Sequence, residues 1–219
     1  MNVTTMGPIA DRAADIPRAP LRCIGIYPAR DGMVDYPIAW ADAARDMAWA
    51  RSRLAAAGIG RGDFVAIVST GHEAPWYQAL IDAAYALEAT VCPLEPARYE
   101  IGRAEMFFRR FPISAIIGLD PDLGGALVEI FGADALLADK KLVLVRPEAR
   151  ALFPADCARI GFVLPVGPAL ALVQASDCGT LIVDEAEWRL DSTPDGLSIS
   201  ALQPRAHCPV ALPLVAVRL

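Results

Sequence analysis

The sequence predicts an α/β fold: a mostly parallel sheet with helices on both faces, plus a C-terminal antiparallel β section. Between residue 40 and about residue 160, continuous apolar runs bounded by turn residues alternate with segments of helical spacing. After about residue 160, short β-like runs are separated by Asp, Pro and Gly. We therefore expect a loosely ordered arm over residues 1–20, an α/β region over 21–160, and a β-rich section over 161–219 packed on the same domain.

The first elements follow from local patterns. The run LRCIGIY, residues 21–27, is a candidate short strand. From Trp40 to Leu54 apolar residues recur at helical spacing, and Gly58 ends this helix as a turn residue. The apolar run at residues 63–70 is then typical of a strand covered on both faces.

The same alternation continues to residue 153. Helical segments are predicted at residues 74–88, 98–111, 121–132 and 147–153. Strands are predicted at residues 89–96, 114–119 and 141–145. Further β-like runs are predicted at residues 161–167, 169–175, 179–185, 187–192, 196–202 and 213–219.

Composition limits the classes of partner. The 219 residues are 55% hydrophobic, enough for one large domain with a core. The net charge of −6 makes nucleic acid and anionic membranes poor partners, so we expect neither. The N-terminus lacks an apolar signal-peptide core and no long uncharged apolar run occurs, which favours a cytoplasmic protein without a membrane span. The apolar surplus favours a homo-oligomer.

The cysteines give no sign of a metal or disulfide framework. Their gaps are wide, no Cys-x-x-Cys pair occurs, and the chain has only two histidines. We expect reduced, mostly buried thiols. The five cysteines are Cys23, Cys92, Cys157, Cys178 and Cys208.

A helix, the step RGDFVAI, a second helix and a strand ending in a proline follow one another over residues 40–96. This order resembles the N-terminal region of the adenylate-forming superfamily, which includes the acyl-CoA synthetases. The residues that match are Leu54, Ala55, Gly58, Gly62, Asp63, Val65, Ala66, Ile67, Pro93 and Pro96. Residues 178–219 resemble a later segment of the phenylacetate-CoA ligase branch. There the matching residues are Leu181, Val183, Glu185, Trp188, Gly196, Leu197, Ser200, Leu202, Pro213 and Arg218.

The sequence departs from this family where the family binds nucleotide. Members carry a Ser/Thr/Gly-rich loop ending in a lysine, whose backbone amides hold ATP phosphates. Here the Gly124–Gly125 pair has no Ser/Thr cluster and no following lysine, and the only lysines, Lys140 and Lys141, open a predicted strand. The family's Tyr-Gly-x-Thr-Glu element would fall near residues 163–170, where Gly167 alone matches. Its ribose-binding Asp and its C-terminal domain with the catalytic lysine would lie beyond Leu219.

These departures imply a reduced scaffold without the nucleotide machinery. We expect no catalytic residue, no metal site and no cofactor in this chain, and ATP and CoA are not expected as ligands without a partner. Whether the chain is an enzyme stays open, and we do not expect it to be active alone.

The first candidate site is STGHEAPW, residues 69–76, at the carboxyl end of the first long strand, the edge where ligands bind in open α/β sheets. Ser69, Thr70, His72 and Glu73 are candidate ligand-binding residues, and His72 could act as a base near neutral pH. The alternative, which we favour, is a capping box between Thr70 and Glu73 with His72 exposed in the turn.

A second candidate follows the next strand at the same edge. Glu95, Arg98 and Tyr99 could line a pocket for a carboxylate or an amide. The favoured alternative is a polar loop.

Two further groups are weaker candidates. Asp184, Glu185 and Glu187 could do acid–base work or hold a divalent cation, although a solvated strand end is favoured. His207 and Cys208 are neighbours whose side chains diverge on an extended chain, which argues against a nucleophilic dyad.

The function we expect is non-catalytic. The protein would bind a small carboxylic acid or an acyl thioester, or act as an accessory or regulatory subunit. The alternative is a divergent AMP-forming acyl-CoA ligase component whose site is completed by a partner chain or a dimer. A structural homo-oligomer is the third possibility.

Overall fold

The structure is a computed structural model that describes residues 20–29, 32–154, 160–173, 180–193, 196–206 and 212–214. Residues 1–19 of the expected arm lie outside this part of the chain. So do Cys157, Cys178, Arg218 and the His207–Cys208 pair.

A six-stranded sheet forms the centre of the molecule. Its strands are β3 (Phe64–Val68), β4 (Thr90–Leu94), β5 (Ile113–Leu119), β6 (Leu142–Val145), β7 (Ile160–Val166) and β8 (Ala169–Val173). The order is β4-β3-β5-β6-β7-β8, and every neighbouring pair is parallel except β7 with β8. The predicted mostly parallel sheet is therefore confirmed.

Helices cover both faces of this sheet. They are α1 (Trp40–Ala56), α2 (Ala74–Ala86), α3 (Ile101–Arg110), α4 (Pro121–Phe131) and α5 (Ala133–Leu137). On one face, Val65 and Ile67 of β3 share a core with α1 and α2. On the other face, Ala66 and Val68 of the same strand share a core with α3, α4 and α5. Because successive strand residues point to opposite faces, a strand covered on both sides is continuously apolar.

A β-hairpin precedes the sheet. Strand β1 (Leu21–Ala29) pairs antiparallel with β2 (Gly32–Ala39). The sequence predicts β1 but not β2, because Asp35 and Pro37 interrupt its apolar pattern. A two-stranded ribbon tolerates a proline, since each strand has an edge without a ladder partner.

The C-terminal antiparallel section is also present. Strands β9 (Trp188–Thr193), β10 (Gly196–Ala201) and β11 (Leu212–Leu214) form a small sheet of order β11-β10-β9. Within residues 180–185 the predicted strand is reduced to a bridge between Ile182 and Leu172 of β8. In the described part of the chain, no helix has both the length and the apolar character needed to cross a membrane.

Candidate functional site

The two predicted site segments lie at the same edge of the sheet. Ser69 follows β3 directly, and its N–H donates to the carbonyl of Leu94 at the end of β4, 3.0 Å away. Because β3 and β4 are parallel, their carboxyl ends meet there. The structure thus brings residues 69–73 and 95–99 to neighbouring positions on the sheet edge where ligands bind in open α/β folds.

The first segment contains the Glu73 half of a capping box, in which the carboxylate accepts from residue 70. Oε2 of Glu73 accepts from the Thr70 N–H at 2.8 Å and from the Thr70 hydroxyl at 2.9 Å. These bonds form at a short 3₁₀ turn, Gly71–Glu73, that leads into α2. His72 is exposed, with Nε2 3.2 Å from the Thr70 hydroxyl oxygen. The local geometry of this turn therefore agrees with the alternative that we favoured, a capping interaction between Thr70 and Glu73 with His72 exposed.

Glu73 has a second partner that sequence reasoning missed. Arg146, directly after β6, makes a bidentate ion pair with it, with Nη1–Oε1 and Nη2–Oε2 distances of 2.6 and 2.8 Å. Burial by itself raises the pKa of Glu73, but hydrogen bonds from Arg146 and Thr70 outweigh burial and hold the pKa below its ordinary value. The only signal in the sequence was a charged residue immediately after a predicted strand.

A bulge in β5 gives Arg146 its third contact. The Arg146 Nε–H donates to the carbonyl of Gly118 at 3.1 Å. Gly118 has φ +81, and the ladder register shifts at this point. A Cβ here would lie 2.4 Å from the carbonyl oxygen of Val68 and 2.6 Å from Cε1 of Tyr77. Only glycine fits this backbone comfortably, and it lets the Tyr77 ring pack directly against β5.

The second predicted segment is a solvated surface. Glu95, Arg98 and Tyr99 are all exposed. The Tyr99 hydroxyl donates to Glu95, and Arg98 pairs with Glu129 of α4 at 2.9 Å. These contacts are typical of a polar loop.

An open cavity of about 430 Å³ lies beside the first segment. We call it the edge pocket. It is bordered by the hairpin, the turn after β3, and the turn between β7 and β8. One wall is fixed by the Trp76 indole N–H, which donates to the carbonyl of Gly167 at 3.0 Å. The lining residues are Ile26, Tyr27, Pro28, Met33, His72, Glu73, Trp76, Pro165, Val166 and Gly167.

A second charged cluster joins the C-terminal section to α1. The side chain of Arg205 is fully buried and pairs with Asp46 at 2.5 Å and Glu187 at 2.9 Å. Its guanidinium lies 4.3 Å from the ring centre of Trp188, and Nη1 donates to the Tyr36 hydroxyl at 2.9 Å. This arrangement ties the small sheet to the main body.

The expectation of a solvated strand end at residues 184–187 is wrong for Glu187. Its side chain is only 5% exposed. This burial is tolerated because Arg205 and Arg45 both pair with the carboxylate, Arg45 at 2.7 Å. Glu185 is exposed as expected. Asp184 is partly buried and accepts the Ala186 N–H at 3.1 Å. Burial raises the pKa of Asp184.

Within the described residues, no group of three or more His, Cys, Asp or Glu side chains is arranged to hold a metal ion. Cys23 is half-buried and Cys92 is buried, both as free thiols. Burial raises the pKa of each, which makes their thiolates less available.

Comparison with known proteins connects this geometry to a fold. No protein-family model and no curated protein matches the sequence. The solved structure of 2-hydroxyisobutyryl-CoA ligase in the postadenylation state, in complex with R3-HIB-AMP, matches 94% of this chain. The TM-score is 0.65 at 13% sequence identity. The fold is that of part of an acyl-CoA ligase.

A second structure gives the same result. It is an open conformation of 2-hydroxyisobutyryl-CoA ligase with 2-HIB-AMP and CoA, and it matches 91% of this chain with a TM-score of 0.62 at 14% identity. The chain spans about half the length of these ligase structures, 50% and 48% respectively. The resemblance drawn from the sequence is therefore supported at the level of the fold.

Proposed function

We propose that this chain is a non-catalytic acyl-CoA synthetase-like protein that binds a small carboxylic acid or an acyl thioester in the edge pocket. The observation that carries the proposal is the pocket itself, a mostly apolar cavity of about 430 Å³ at the carboxyl edge of the sheet. Its volume and apolar walls are typical of small-molecule sites. The chain acts as a binding protein in its own right or as an accessory or regulatory subunit, in the cytoplasm.

The charges at this edge favour binding over adenylation. Transfer of an adenylyl group needs cations that neutralise the charge developing on phosphate. Arg146 stands at the edge, but both oxygens of Glu73 engage its guanidinium. The sequence adds no Ser/Thr/Gly loop with a lysine. An acyl compound, by contrast, needs mainly apolar contacts and one or two polar ones.

A thermal-shift screen tests the binding function. The probes are ATP, AMP, CoA, and a panel of aliphatic and aromatic acids with their thioesters. A ligand of the native state raises the melting temperature by mass action, so at least one acyl compound should do so.

Two variants show where the ligand binds. Met33→Trp fills the edge pocket and should abolish the shift. Ile24→Trp adds the same bulk to the same hairpin outside the pocket lining and should leave the shift intact. Release of pyrophosphate from ATP by the purified chain, with any acid, would overturn the non-catalytic assignment.

A second candidate function is supported by the coverage of the ligase structures. Almost all of this chain matches about half of a ligase. The chain would then be a ligase component completed by a partner chain or by its own copy. This predicts ATP-dependent thioester formation only when a polypeptide with the phosphate loop and the lysine domain is added. An inactive mixture would count against it, and light scattering after size exclusion would test the homo-oligomer.

A further inference from the structure

We propose that the edge pocket accepts the uncharged acyl group of a thioester and discriminates against the corresponding free carboxylate. This rests on the proposed function, because it decides between the two ligand classes offered there for the same pocket. The selection arises from how the polar groups in the lining are already paired.

The lining contains a fixed negative charge and no arginine or lysine. Of the ten lining residues, Glu73 is the one carboxylate. Its lowered pKa keeps it ionised at neutral pH. Arg146 balances this charge from outside the lining, and three of its N–H groups are already engaged by Glu73 and the Gly118 carbonyl. A second carboxylate in the pocket would therefore face like charge without a cation of its own.

Two polar groups at or next to the lining have already donated their protons. The Thr70 hydroxyl, beside the lining residue His72, gives its proton to Glu73. The Trp76 N–H is already donated to Gly167. An anion entering the pocket would lose its water and gain no hydrogen bond from the Thr70 hydroxyl or the Trp76 indole, which is costly.

An acyl thioester avoids this cost. Its carbonyl is uncharged, and its alkyl chain can cover the exposed apolar part of the lining. Ile26 and Met33 are 44% and 51% exposed, although both are large apolar side chains. They stand on the same hairpin, where Met33 is paired with Pro28, two residues from Ile26. Removing this surface from water favours a short aliphatic acyl group.

The test compares two probes with the same acyl chain at pH 7.5. The thioester is S-butyryl-N-acetylcysteamine and the acid is sodium butyrate, with N-acetylcysteamine as the control for the thiol portion. Binding is followed by the NMR signal of the Trp76 indole N–H, assigned with a Trp76→Phe variant. We expect the thioester to shift this signal and to bind at least tenfold more tightly than butyrate.

A charge placed in the lining should reverse the preference. Ile26→Lys supplies the missing cation and should increase butyrate affinity at least tenfold. Ile24→Lys is the matched control: Ile24 lies on the same strand and face and is 46% exposed, but it does not line the pocket. It should keep the wild-type preference, and both partly exposed positions should tolerate lysine.

Each outcome separates the two proposals. Wild-type protein that binds butyrate as tightly as the thioester overturns this inference and leaves the proposed binding function standing. The same inference fails if Ile26→Lys gains no more butyrate affinity than Ile24→Lys. If neither butyryl compound nor any acyl probe of the thermal-shift panel binds, the proposed function fails and this inference fails with it.

Discussion

Replacing Gly118 by alanine should destabilise the protein by about 2–5 kcal/mol. The residue has φ +81, and a left-handed backbone costs an L-residue about 1–2 kcal/mol. The new Cβ would also lie 2.4 Å from the Val68 carbonyl oxygen and 2.6 Å from Cε1 of Tyr77. Overpacking of this kind adds about 1–3 kcal/mol. The Val68 oxygen belongs to the neighbouring strand, so it cannot rotate away as a side chain would.

Gly62→Ala provides the matched control. Its φ of +85 is close to that of Gly118, but no atom lies within 4 Å of its added Cβ. It should therefore lose only the backbone contribution of about 1–2 kcal/mol. Urea unfolding of the wild type and both variants measures the free energies of unfolding. Equal losses in the two variants would refute the close approach of β3, β5 and Tyr77 on which the description of this edge depends.

Three further predictions concern ion pairs. The pKa of Glu73 is lower in the folded protein than in the unfolded chain. The ionised carboxylate therefore stabilises the fold fully above the unfolded-state pKa, and this stabilisation is lost as the pH falls through the folded-state pKa. Urea unfolding should therefore show the wild type losing more stability than Glu73→Gln between about pH 5 and about pH 3; parallel curves would contradict the pairing with Arg146. Arg205→Met leaves the partly exposed Asp46 unpaired and removes one of the two arginines that neutralise the buried Glu187, so it should cost about 3 kcal/mol, whereas a loss near zero would show that the pairs do not form. Lys141→Met breaks a partly exposed pair with Asp63 and should cost less than about 1 kcal/mol by the same assay. A larger loss would contradict the assignment of this pair as a weak surface contact.

The alternation of strands and helices could be predicted because it depends on the local spacing of apolar residues. The second strand of the hairpin could not be predicted, because a proline such as Pro37 normally argues against a strand. Only the structure shows that Pro37 is paired with Ile24 of β1. Ion pairs between distant residues leave no local trace. Glu73 and Arg146 are 73 residues apart in sequence, and the capping pattern around Glu73 gives no hint of the arginine. Glu187 has the sequence pattern of a solvated residue for the same reason, because its partner Arg45 lies far away along the chain.

The step RGDFVAI carries the resemblance to acyl-CoA ligases, and its polar contacts hold the scaffold together. Asp63 accepts the Gly60 N–H at 2.8 Å, which closes the turn before β3. Both of its oxygens lie 2.8 Å from Nζ of Lys141, which joins that turn to the start of β6. Lys141, one of the two lysines of the chain, thus makes a structural contact. Arg146, at the opposite edge of the sheet, is also paired. Selectivity in our proposal therefore arises from the paired polar groups and the apolar walls of the edge pocket.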